Sequence, residues 1–197
     1  MKKETFSKVI RTITIPPVMA LLLLLVLFAV RQDIFQNTIL DLLISILFLV
    51  FIPIAAYPLQ PFIQKYKDKG REGQRNLAFI FTAAGYVGAV LYGAFAPVTK
   101  DLSLILFTYF LSVLTLLFSN KVIKIRSSGH MCSVAGPLIS SVYFIGWIAI
   151  IPCCILFGLI CWSSLFLKRH TFYEVIGGCV CCIAAFGCSL GIVFYFK

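Results

Sequence analysis

A chain of 197 residues with 61% hydrophobic side chains, 12% charged ones and a mean hydropathy of +1.03 is too apolar for a soluble globule. Its net charge of +10 would suit nucleic acid only if the basic residues shared a soluble face, yet they fall in short loops between apolar runs, where charge reports topology first. The composition therefore points to an integral membrane protein and excludes both a nucleic-acid-binding module and a separate soluble domain.

Met1 to Arg11 carries Lys2, Lys3, Lys8 and Arg11 against Glu4, and an apolar run follows from Ile13 to Val30. A charged head before a hydrophobic stretch resembles a signal peptide. However, Pro16-Pro17 opens the run and Val30-Arg31-Gln32-Asp33 offers no small-residue cleavage site, so the segment reads as a retained first span. A second span is expected over Ile39 to Leu59, with Pro53 and Pro58 tolerated if neighbours satisfy the freed carbonyls. The loop from Gln60 to Asn76 is the richest polar stretch, holding Lys65, Lys67, Lys69, Arg71 and Arg75. A third span, Leu77 to Pro97, carries Gly85, Gly88 and Gly93, spaced for close helix approach, and a fourth runs from Leu102 to Ser119. After Lys121, Lys124 and Arg126, the apolar stretch from His130 to Leu167 has the length of a hairpin broken near Gly146, and a last span runs from Lys168-Arg169-His170 to about Phe196.

The expected fold is all-α: a polytopic transmembrane bundle of six or seven spans. It forms one integral-membrane domain, with 1–64 as an N-terminal helical hairpin and 65–197 as the core. Seven spans put 14 of the 17 Lys and Arg on one side and leave Arg31, Lys100 and Lys197 on the other. The same count puts both histidines at one interface, whereas merging the His130 to Leu167 hairpin into one span would separate them.

The eight cysteines, Cys132, Cys153, Cys154, Cys161, Cys179, Cys181, Cys182 and Cys188, lie in or beside apolar runs. They show no repeated CxxC spacing and no histidine at zinc-ligand distance, so they read as packing residues, with no metal or cofactor expected. Trp162 and Tyr173 read as interfacial anchors, and Asp41, near a span end, is given no role.

The chemistry gathers on the two histidines. Ser127-Ser128-Gly129-His130 precedes one apolar run, and His170-Thr171-Phe172-Tyr173-Glu174 opens another. Basic loops converging on one interface make a receptor for a dianionic phosphate, with guanidinium forks and first-turn helix amides as donors. A neutral imidazole can attack phosphorus when a carboxylate holds its other nitrogen, and Glu174 lies one helical turn beyond His170. A second, protonated histidine would give its proton to the departing oxygen. A carboxylate just inside an apolar span is costly and usually has a partner.

These residues resemble the type-2 phosphatidic-acid phosphatase superfamily, most closely its small bacterial or archaeal members. Ser127-Ser128-Gly129-His130 is similar to the family's Pro-Ser-Gly-His motif, and His170-Thr171-x-x-Glu174-Val175-x-x-Gly178 to the end of its third motif. Lys69 to Arg75 lies where the first motif is expected. The resemblance implies a metal-independent phosphohydrolase working through a phosphohistidine on a lipid phosphate or isoprenoid (pyro)phosphate. His170 would be the nucleophile, Glu174 its orienter and His130 the general acid. Arg75, Lys69, Arg126, Ser128 and Gly129 would hold the phosphate. The departures are Ser127 and Asn76 for prolines, Glu174 for Asp, and Ser164 where the family has an arginine after serine.

The expected setting is a multi-pass protein of the plasma membrane, with lipid phosphate and membrane lipids as partners and no nucleic acid. Charge bias places the site in the cytoplasm, whereas the resemblance implies an extracytoplasmic one. The rival reading keeps the fold without turnover, as a lipid-binding or scaffold protein. A transporter would be expected to carry internal repeats, and none is evident.

Overall fold

The computed structural model describes residues 2–196, and among them it is helical throughout with no strand. Eight helices carry the architecture: α1 Lys2–Ile13, α2 Pro16–Val30, α3 Thr38–Phe62, α4 Gly70–Phe95, α5 Lys100–Ile123, α6 Gly129–Ile145, α7 Trp147–Phe166 and α8 Phe172–Phe196. Five of them, α3, α4, α5, α7 and α8, are long and apolar enough to cross a membrane, and α1 with α2 would make a sixth span if read as one broken helix. The 17-residue α6 is apolar but shorter.

The N-terminal segment departs from the sequence reading. The basic head is a helix in its own right, bent 63° from α2. The break falls at Thr14-Ile15, where Pro16 and Pro17 occupy the first positions of α2 and suit a helix start. Helix α1 is amphipathic. Phe6, Val9 and Ile13 form an exposed apolar stripe, Glu4 and Lys8 pair at 2.7 Å on the polar side, and Ser7 and Ile10 are buried. That pattern suits a helix lying in the membrane–water interface.

Proline and glycine shape the spans. In α3 a wide π turn at Leu47–Phe51 precedes Pro53, relieving the clash a proline makes with the carbonyl four residues earlier. Gly146, at φ +86°, separates α6 from α7, a left-handed backbone that side chains rarely adopt. The break expected near Gly146 is thus a sharp reversal, and it returns the chain to the end from which α6 began.

The helices alternate in direction, so the ends of the bundle can be assigned from contacts. At one end Arg31 pairs with Asp33 at 2.7 Å and Asp101 at 3.6 Å and donates to the Phe144 carbonyl at 2.6 Å. Nearby, Tyr92 donates to Asp41 at 2.7 Å, and the Thr99 hydroxyl donates to the Ile34 carbonyl. Asp41 does not reach water. It is fully buried, and the Asn37 amide and the Tyr92 hydroxyl are its hydrogen-bond donors.

The main apolar core joins α2, α3, α4 and α5 to Phe144 of α6 and Phe186 and Val193 of α8. A second cluster, Ile10, Met19, Met131, Val134, Leu138, Ile160 and Val175, ties α1 and α2 to α6, α7 and α8. Helix α8 packs chiefly on α5 and α6. Three of the cysteines, Cys132, Cys181 and Cys182, are buried between those helices as free thiols.

Candidate phosphate site at one end of the bundle

At the opposite end, the start of α8 builds the first half of the site. Thr171 caps the helix: its hydroxyl accepts from the Glu174 amide at 3.3 Å, while the Glu174 carboxylate accepts from the Thr171 amide at 3.1 Å. This reciprocal pair is a capping box, Thr-x-x-Glu, directly before an apolar run. It fixes the carboxylate beside the residue preceding the cap, and Glu174 accepts from His170 Nδ1 at 3.1 Å. Arg126 forms an ion pair through Nε with the other carboxylate oxygen at 2.9 Å. A buried carboxylate with two hydrogen-bond donors and an ion-pair partner is well satisfied. With Nδ1–H given to Glu174, the lone pair of His170 lies on Nε2.

The second half is the loop 124–128 and the start of α6. Helix α5 ends in a π turn at Phe118–Ile123 and a left-handed Lys124, φ 62°. Asn120 Oδ1 then accepts from the Ser127 amide at 2.8 Å, and the hydroxyls of Ser119 and Ser127 meet at 2.8 Å. Ser128 caps α6, accepting from the Met131 amide at 3.3 Å, and its own amide donates to the Glu174 carbonyl at 2.8 Å. The two histidine-bearing segments are therefore bonded directly to each other.

Gly177 and Gly178 permit that approach. A Cβ at Gly178 would stand 2.4 Å from the Ser128 carbonyl oxygen and 3.1 Å from the Cys132 amide, and one at Gly177 would stand 2.6 Å from the Ser127 hydroxyl. Those two Gly178 neighbours are backbone atoms, and the third, Met131 Cβ, is fixed to the backbone, so none can swing aside. Gly178→Ala is expected to force the loop off α8 and lower stability by about 1–3 kcal/mol, read as a lower thermal midpoint in detergent. An unchanged midpoint would mean the close approach is dispensable.

His130 stands in the first turn of α6 and is mostly buried, with Nε2 sealed from solvent and without a hydrogen-bond partner among the described residues. Burial, with smaller contributions from the nearby charges of Arg11 and His170, pushes its imidazole down to about 4. Burial is the main cause that holds the His170 imidazole below its usual range. The hydrogen bond that His170 donates to Glu174 opposes this, while the charges of Arg11 and Arg126 add to it.

From His130 a cavity of about 510 Å³ runs into the bundle. At its polar end are Gly129, His130, Gln74 and Arg75; Pro17, Pro53, Phe79, Val113, Leu116 and Pro137 form apolar wall, and Tyr86 and Tyr109 are deeper. Arg75 and Tyr86 lie eleven residues apart on α4, about 16 Å at the helical rise.

The structure thus brings His170, Glu174, Arg126, Ser128 and His130 into one bonded and electrostatically linked group, with Gly129 and Arg75 on the adjoining cavity wall. Their tasks differ in detail from the sequence reading: the Ser128 hydroxyl is engaged as a helix cap, and Arg126 holds Glu174 while its side chain stays 81% exposed. Lys69 is exposed at the start of α4, and it, like His170, Glu174, Arg126 and Ser128, is not among the residues lining the cavity. Sequence reasoning missed Arg11, Asn120 and Thr171. The last was legible as a Ser/Thr-x-x-Glu capping pattern, whereas Arg11 carried only the signature of a topology-setting charge.

Comparison with known proteins finds no matching family model, no matching curated protein and no matching solved structure.

Proposed function

We propose that this protein is a membrane phosphohydrolase that removes phosphate from a lipid phosphate or an isoprenoid (pyro)phosphate through a phosphohistidine on His170. The observation that carries the reading is the His170–Glu174 pair at 3.1 Å beside a second imidazole, His130, whose Nε2 has no hydrogen-bond partner among the described residues. A buried polar nitrogen left unsatisfied is costly, and a bound phosphate oxygen would satisfy it. The cavity supports the substrate class: a guanidinium and an imidazole at its mouth suit a phosphate, and its apolar wall suits the hydrocarbon of a leaving lipid alcohol.

In this mechanism the His170 Nε2 lone pair forms a bond to phosphorus while the bond from phosphorus to the lipid oxygen breaks. His130, pushed down to about 4 in the empty site by burial and by the charges of Arg11 and His170, gains its proton as the dianionic phosphate binds beside it, and gives that proton to the lipid oxygen, so the alcohol leaves neutral. Glu174 stabilises the charge that develops on His170. Water then attacks phosphorus, His130 takes its proton, the N–P bond breaks and inorganic phosphate departs. The first-turn amides of Gly129 and His130, together with Arg75, are placed to offset the charge on the phosphate oxygens.

The test is phosphate release by detergent-solubilised protein from a panel of lipid phosphates, with and without EDTA. The expected result is release that EDTA does not affect and a bell-shaped pH profile. Because His170 must be neutral to attack and titrates below the usual histidine value near 6.5, the acid-side loss of activity should come only as pH falls through that lowered value. The half-maximum of the acid limb should therefore lie below about pH 6.5. No release from any lipid phosphate, with phosphate still bound, would replace turnover by the lipid-binding reading.

A further inference from the structure

We propose that Arg11, on the interfacial helix α1, is a phosphate-binding residue of this site, so that α1 completes the site rather than merely anchoring the chain. The inference deepens the phosphohydrolase reading and rests on it for the identity of the ligand. Its geometry comes from the packing of α1. The Ser163 hydroxyl of α7 donates to the Ser7 carbonyl at 2.7 Å, Phe6 packs against Trp162 with ring centroids 6.2 Å apart, and Ile10 joins Met131, Ile160 and Val175 in one buried cluster. Arg11, His130 and Glu174 are the immediate chain neighbours of Ile10, Met131 and Val175, so this cluster carries all three to one place.

Arg11 has no acidic partner there. Its Nη1 is sealed from solvent and makes no hydrogen bond, as is true of His130 Nε2, and no ion pair forms with it among the described residues. Its charge acts on both imidazoles. An arginine at an interface ordinarily extends its head to water. A sealed, unpaired guanidinium arm beside an unpaired imidazole is costly unless an anion joins them, and a phosphate presents the oxygens both donors lack. The other α1 cations give a contrast: Lys8 is exposed and paired with Glu4. Ser163 and Ser164, both 1% exposed, also matter, because small side chains there leave α1 room to seat against α7.

The experiment compares wild type, Arg11→Ala, Arg11→Lys and the control Lys8→Ala, all in detergent. Inorganic phosphate binding is followed by calorimetry, and hydrolysis with a short-chain phosphatidic acid. Arg11→Ala is expected to weaken phosphate binding at least tenfold and to lower kcat/KM about a hundredfold. Arg11→Lys should recover part of both, and Lys8→Ala should change neither. Because the replaced charge is unpaired, Arg11→Ala should also keep or raise the thermal midpoint, which separates lost binding from lost fold.

If wild type binds phosphate without hydrolysing any lipid phosphate and Arg11→Ala loses that binding, this inference stands while the hydrolase reading fails. Phosphate binding and turnover within threefold of wild type in Arg11→Ala would overturn the inference and leave the hydrolase reading intact. Absence of phosphate binding in wild type would overturn it as well.

Discussion

Replacing His170 by alanine is expected to lower phosphate release about ten-thousandfold or more while leaving expression and thermal midpoint near wild type. Among the described residues the side chain makes one hydrogen bond, to Glu174, and that carboxylate keeps the Thr171 amide as donor and Arg126 as ion-pair partner when the imidazole is gone. The chemistry has no such reserve. Without Nε2 no atom of the cluster is placed to form the bond to phosphorus. His130→Ala should cost less, about a hundredfold to ten-thousandfold, because a lost proton donor slows departure of the lipid oxygen without removing the nucleophile. Full activity in His170→Ala would refute the assignment of the nucleophile.

Glu174→Gln is the second large effect, expected at about a thousandfold to ten-thousandfold in kcat. The amide can still accept from the Thr171 amide, so the start of α8 should remain folded. It cannot stabilise a cationic His170, and it offers Arg126 a neutral partner instead of a carboxylate. It can also present its NH₂ to Nδ1 and drive the ring to the wrong tautomer, placing the proton on the nitrogen that should attack. The check is kcat against KM: a fall in kcat with KM nearly unchanged is predicted, whereas a rise in KM alone would make Glu174 a binding residue.

Much of the architecture was legible from apolar runs and their punctuation. Run lengths marked the long helices, and Gly146 marked the reversal between α6 and α7, because a backbone at φ +86° favours glycine. The direction of α6 and α7 follows from that reversal and sets His130 and His170 at the same end of the bundle. The N-terminus was harder to read. A basic head before an apolar run satisfies both a topology signal and an amphipathic surface helix, and only the packing of Ser7 and Ile10 against α6, α7 and α8 distinguishes them.

The candidate site was legible to the extent that its chemistry is local. His170 and Glu174 are one helical turn apart, so a sequence can place them together. Arg11 lies far along the chain from both histidines, and no local pattern brings it to them. The arginine absent at Ser164 could be noticed in the sequence, but not the guanidinium that approaches the same end of α7 from another helix. Ser128 and Arg126 illustrate the converse limit. A hydroxyl beside a glycine and an arginine before it suit a phosphate on paper, yet each has a prior bond, one to the start of α6 and one to Glu174.

The central claim, a covalent phosphohistidine on His170, can be tested before any lipid substrate is known. Inorganic phosphate labelled with ¹⁸O is incubated with the solubilised protein in ordinary water, and the label remaining is followed by mass spectrometry. Reversible transfer of phosphorus between His170 and water predicts steady loss of ¹⁸O with wild type and none with His170→Ala. Loss of label at the same rate in both proteins would contradict the account.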